Sequence, residues 1–156
     1  MILYSGKDDH YSQRVKIVLA EKDITAEINE SSLEETPDDI LSMSPYGKLP
    51  ILIDRDLAIH DPTVMMEYLD ERFPHPPLLP VYPVSRASSR TLILRIDREW
   101  CPILDQLINA ELPEKELIKL REELLHEISS IAPTFKEFKF FMSDEFTIVD
   151  CCFATI

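Results

Sequence analysis

The chain has 156 residues, 45% of them apolar, and a mean hydropathy of −0.09, so it can bury one core of ordinary size or two small ones and is not a disordered protein. Its formal net charge of −13 repels phosphate backbones, which argues against direct DNA binding. No apolar run approaches the roughly 18 residues needed to span a bilayer, and the opening Met1-Ile2-Leu3-Tyr4-Ser5-Gly6 lacks a signal peptide's basic start, so no membrane role and a cytoplasmic location are expected.

The predicted elements begin with a short buried strand at residues 1–4, where Ile2 and Leu3 are strong strand formers. Lys7-Asp8-Asp9-His10 reads as a loop. From Tyr11 the period is helical: Tyr11, Val15, Val18 and Leu19 share one face, and Arg14, Lys16 and Glu21 are placed on the polar one. Residues 25–30 suit a second strand. Residues 31–46 are acidic and irregular, with one helical turn around Pro37–Met43. Lys48–Ile53 is a strand containing Pro50, Asp54-Arg55-Asp56 a turn, and Leu57-Ala58-Ile59 the returning arm of a hairpin. Asp61 is a good N-cap and Pro62 a good first helical residue for a helix ending near Arg72.

Residues 74–83 contain Pro74, Pro76, Pro77, Pro80 and Pro83, a density that no helix interior or central strand survives. They read as an extended linker, partly polyproline II. The expected organisation is therefore a first domain at 1–73, a linker at 74–83 and a helical domain at 84–156. In that domain Ile93, Ile96, Trp100, Ile103, Leu104 and Leu107 form an apolar stripe, edged by Leu92 and Leu94, on a helix that Pro102 should bend. Leu117, Leu120, Leu124, Ile128 and Ile131 mark another helix. Thr147-x-x-Asp150 is a capping box, with Phe146 and Cys151 placed as a hydrophobic staple. The chain ends inside that last helix, so the helical domain is read as incomplete, the product of a truncation.

Cys101, Cys151 and Cys152 make no C-x-x-C pair and are expected to be small buried hydrophobes; Cys151 and Cys152 are adjacent, a poor geometry for an unstrained disulfide. His10, His60, His75 and His126 show no metal-ligand spacing, and His126 is expected on a helix surface. Only Gly6 and Gly47 are glycine, so no glycine-rich phosphate loop exists. No metal and no cofactor are expected. Arg86, Arg90, Arg95 and Arg98 are a basic cluster in an acidic chain. A solvated helix with ion pairs to Asp97 and Glu99 accounts for them, and a nucleotide alarmone or an acidic partner would be a second use.

The order of these elements, an α/β half followed by an all-α half, resembles the glutathione-transferase fold: a thioredoxin-like N-terminal domain and a helical C-terminal domain, here truncated. The strings Leu3-Tyr4-Ser5, Gln13-Arg14-Val15, Leu19-Ala20-Glu21-Lys22, Leu49-Pro50-x-Leu52, Glu67-Tyr68-Leu69 and Thr147-x-x-Asp150 carry that likeness. Longer strings resemble the bacterial stringent starvation protein A family: Val18 to Lys22, Met66 through Leu78, Pro80-Val81-Tyr82-Pro83, Leu120 through Leu125, Ser143-Asp144-Glu145-Phe146 and Val149-Asp150-Cys151.

That resemblance implies a transcription regulator of stress, starvation and virulence genes that binds RNA polymerase holoenzyme with its housekeeping sigma factor. It implies a homodimer, or a heterodimer with a transferase-like paralogue, with Met65, Met66, Leu69, Arg86 and Arg90 at the interface. Pro74-His75-Pro76 would bind the polymerase, flanked by Tyr82; from the residues alone that segment is a plain interdomain linker. The fold also implies a cis bond before Pro50.

The residues a transferase needs are altered. Asp9 stands where serine- and cysteine-type enzymes hold their Ser or Cys, and a carboxylate there raises a thiol's pKa, the wrong direction. Tyr4 and Tyr11 are the nearest other hydroxyls, both off the spacing. The Leu49-Pro50 clamp is kept. The acidic-Ser pair that holds the γ-glutamyl carboxylate reads Asp61-Pro62, which removes a hydroxyl and an N–H donor. The expectation is a degenerate glutathione site with no catalytic residue and no transferase activity. A glutathione-dependent transferase or reductase with an unorthodox site, and a purely structural partner subunit, are the alternatives.

Overall fold

The computed structural model describes residues 1–109, 111–141 and 143–156, which fall into two compact units, Met1–Leu78 with Thr155, and Leu79–Ala154 with Ile156. The first unit carries β1 (Ile2–Gly6), α1 (His10–Glu21), β2 (Glu27–Ser31), α2 (Asp38–Leu41), β3 (Ile51–Asp54), β4 (Leu57–Ile59) and α3 (Pro62–Arg72). Its sheet runs β2-β1-β3-β4. β1 lies parallel to β2 and antiparallel to β3, so Leu3 sits opposite both Ile28 and Leu52 at the sheet centre and is wholly buried. β3 and β4 form the predicted hairpin, with Arg55 in the left-handed region (φ 57°) at its turn. The Leu49–Pro50 bond is cis, as the fold implies, and so is His75–Pro76.

α1 and α3 pack together. α1 starts one residue earlier than predicted because Asp9 is its N-cap, accepting from the Tyr11 and Ser12 amides. The turn before it is tight: a β-carbon on Gly6 would stand 2.8 Å from that of Asp9, so only glycine fits. Arg14, placed on the polar face by its charge, is fully buried. Its position decides the matter, since it lies three residues after Tyr11 and four before Val18, on the apolar stripe. Its guanidinium carbon lies 5.2 Å from the centroid of the Tyr11 ring.

The second unit carries α4 (Pro83–Arg95), a π-helical turn (Ile96–Trp100), α5 (Cys101–Asn109), α6 (Glu114–Ile131), a 3₁₀ turn (Ala132–Lys136) and α7 (Ile148–Phe153). α4 begins inside the predicted linker. Tyr82 is its N-cap and Pro83 its first residue, where a missing N–H costs nothing. Pro102 cannot donate to the Arg98 carbonyl, and its effect shows as the π turn just before it. Ile93, Ile96, Trp100 and Ile103 of the predicted stripe are buried, while Leu104 and Leu107 are half-buried. On α6 only Leu124 of the predicted face is buried. Trp100, Phe135, Phe141 and Phe153 form an aromatic cluster, with Phe141 and Phe153 centroids 5.0 Å apart.

α7 is set by its capping box. The buried Asp150 carboxylate accepts from the Thr147 amide at 2.8 Å and from the Phe141 amide at 2.8 Å, tying the preceding loop to the helix start. Phe146 packs its ring edge-on to Phe140, and Cys151 is wholly buried. Cys101, Cys151 and Cys152 are buried thiols, none of them in a disulfide. Among the described residues no helix is long and apolar enough to cross a membrane.

Candidate functional site

Three places on the first unit bear on function. The first is the set of positions that the fold resemblance assigns to glutathione. The Asp9 carboxylate is spent on α1: it takes the Tyr11 amide at 3.2 Å, the Ser12 amide at 2.9 Å and the Ser12 hydroxyl. An anion therefore already occupies the N-terminal end of α1, where the backbone amides and the helix dipole would otherwise favour a thiolate. At the start of α3 the Asp61 carboxylate takes the Val64 amide at 2.9 Å, and Pro62 offers no N–H. Leu49 is half-buried and Pro50 buried at the head of β3. Asp9 and Asp61 thus each serve as the cap of their own helix.

The second place is the segment after α3. Pro74, His75 and Pro76 are exposed. Prolines supply no amide donors, so the carbonyls around them need a donor from elsewhere or water. Lys22 provides it. Its side chain is fully buried at the C-terminal end of α1, and its ammonium reaches the Phe73 carbonyl at 2.6 Å, the Pro76 carbonyl at 2.7 Å and Asp70 Oδ1 at 2.7 Å. A lysine ammonium has three N–H donors, and here each has an acceptor. Asp70 Oδ1 also accepts the Leu78 amide at 2.8 Å. The segment is pinned on both sides of His75. The pair is not legible in the sequence, because Lys22 and Asp70 lie 48 positions apart and nothing local joins them.

The third place is the β4–α3 side. Leu57, Ile59, Val64, Glu67, Tyr68 and Glu71 line an open groove of about 310 Å³. The interface residues expected on α3 are corrected here: Met65, Met66 and Leu69 are 0% exposed, so they are core and offer no contact surface. Val64, 54% exposed, is the apolar residue α3 turns outward. On the second unit, Arg86 is half-buried with Nε donating to the Pro80 carbonyl at 3.1 Å, and Arg90 is exposed. Arg95 pairs with Glu99 at 2.7 Å, as expected, and also with Glu127 at 3.1 Å. Tyr82 is 77% exposed. Among the described residues no group of three or more His, Cys, Asp or Glu could hold a metal ion, and His126 is exposed.

Asp54, read as a turn residue, is buried and accepts from the Tyr68 hydroxyl at 2.6 Å and pairs with Arg72 Nε at 3.1 Å. The Tyr68 hydrogen bond, helped by the Arg72 charge, holds its carboxyl below the ordinary value of 3.8, and the same bond raises the Tyr68 phenol. A depressed folded-state pKa contributes stability that is present above the unfolded value and lost as pH falls through the folded one. Tyr68→Phe should therefore lower the melting temperature at pH 6–7. The gap to the parent should narrow as the pH falls below about 4. Thermal melts between pH 2 and 7 check this; a gap that widens in acid would contradict it.

Residues 3–77 match the glutathione S-transferase N-terminal domain family. The chain is 48% identical to a stringent starvation protein A homolog of Haemophilus influenzae, over all of this chain and 73% of that protein. It is 46% identical to one of Coxiella burnetii, over all of this chain and 74% of that protein. Among solved structures, a tau class glutathione S-transferase from mango superposes with a TM-score of 0.83 at 26% identity, covering 99% of this chain and 72% of that one. A glutathione S-transferase from Rhodospirillum rubrum gives 0.85 at 25%, covering 99% and 74%. On this identity, sustained over its whole length, the chain belongs to the stringent starvation protein A family, built on the glutathione-transferase fold.

Proposed function

We propose that the chain is a non-enzymatic transcription regulator that binds RNA polymerase holoenzyme with its housekeeping sigma factor and controls stress, starvation and virulence genes. The observation that carries this reading is the Pro74-His75-Pro76 segment: exposed side chains on a backbone fastened at Phe73, Pro76 and Leu78. A rigid exposed segment has little entropy left to lose on docking, and an imidazole can both donate and accept. Tyr82, on the second unit, is proposed as a further contact on the strength of its own exposure. The capped states of Asp9 and Asp61 support a lost glutathione site.

Self-association, or pairing with a transferase-like paralogue, belongs to the same reading. Its surface is redrawn around Val64 and the acidic groove, with Arg86 and Arg90 as the complementary charges of the other subunit. A nucleotide alarmone or an acidic partner at the basic cluster would compete with the two carboxylates that Arg95 already pairs with. The reading is tested by co-purification: holoenzyme should be retained by the chain and lost from His75→Ala. Equal retention would mean that Pro74-His75-Pro76 is only a linker.

A further inference from the structure

The buried Lys22–Asp70 pair is not explained by helix stability. An aspartate near the end of α3 faces the negative end of the helix dipole, and a buried ion pair seldom stabilises a fold more than apolar residues of the same size. What the pair does uniquely is local. Lys22 holds the Phe73 and Pro76 carbonyls, and Asp70 holds the Leu78 amide, on either side of His75. Pro74, Pro76 and Pro77 have no amide of their own with which to fix the loop.

We propose that Lys22 and Asp70 are positioning residues that hold Pro74-His75-Pro76 in its docking shape and thereby set the affinity of that segment for its protein partner. This rests on the functional reading above. Neither residue reaches the partner: both side chains are buried, at 0% and 10% exposure. They act through the backbone they fasten. If they are removed, the segment must be ordered at the moment of binding, and fixing the backbone of even one residue costs about a factor of ten in affinity.

The deciding variant is the double change Lys22→Met with Asp70→Leu, which replaces the ion pair by apolar groups and should keep the fold. The expected result is a folded protein that melts above Lys22→Met alone, at least roughly tenfold faster hydrogen exchange at the Leu78 amide with β1 amides unchanged, and holoenzyme affinity about tenfold weaker or worse. Parent affinity in the folded double variant would overturn the proposal. If the double variant does not fold, Asp70→Asn replaces it: exchange that rises at Leu78 no more than at β1 would make the pair merely structural and overturn the proposal, and selective loss at Leu78 with weakened binding would uphold it. His75→Ala, run alongside, separates the two claims. If it binds like the parent, the functional reading fails; if it loses binding while the double variant keeps it, only the positioning role fails.

Discussion

Lys22→Met should destabilise the first unit by about 3–5 kcal/mol. The methionine matches the lysine stem in length and keeps its packing, so the loss comes from what is left behind. Asp70 would stay buried with its charge uncompensated, and the Phe73 and Pro76 carbonyls would lose their donor. A single exposed substitution shifts stability by only about 0.5 kcal/mol, so the two outcomes are well separated. Urea unfolding followed by a probe in the first unit measures it. A loss below about 1 kcal/mol would mean that water replaces the ammonium without strain.

The second large effect concerns glutathione. A transferase site would give its γ-glutamyl carboxylate a hydroxyl and an amide at the start of α3, and Pro62 offers neither. The two missing bonds to a charged group weaken binding by roughly 3–6 kcal/mol, a factor of about 100 or more in Kd. At the start of α1 the Asp9 carboxylate takes the amides and the Ser12 hydroxyl that could have steadied a thiolate. Calorimetry should therefore detect no binding of reduced glutathione at micromolar concentration, and no conjugation of a chlorodinitrobenzene-type electrophile should be seen. Micromolar affinity or measurable turnover would reinstate the transferase alternative.

The features legible in the sequence were those written locally. Asp61 with the Val64 amide, and Asp150 with the Thr147 amide, are caps whose donor and acceptor lie within three residues. The β3–β4 hairpin announces itself by two apolar arms and a charged turn. Long-range partners were not legible. Lys22 and Arg14 are charged, and charge predicts exposure until a partner or a packed ring is known. Met65, Met66 and Leu69 show the converse: helical spacing marks a face that is covered but does not say whether the chain itself covers it. Pro83 was masked by company, because a proline that starts a helix looks the same as the four prolines of the segment before it. That residues 74–80 form neither helix nor strand was legible from proline density; the clamp beneath them was not.

Whether His75 is a contact decides the proposed polymerase binding. The measurement is a titration of RNA polymerase holoenzyme, carrying its housekeeping sigma factor, with the parent chain and with His75→Ala. Exposure of His75 predicts a melting temperature within a few degrees of the parent, since such a change costs only about 0.5 kcal/mol. Saturable binding by the parent, and a loss of at least roughly tenfold in the variant, is the result expected. Equal affinities for two equally stable proteins would contradict it and move the search to the acidic groove of β4 and α3.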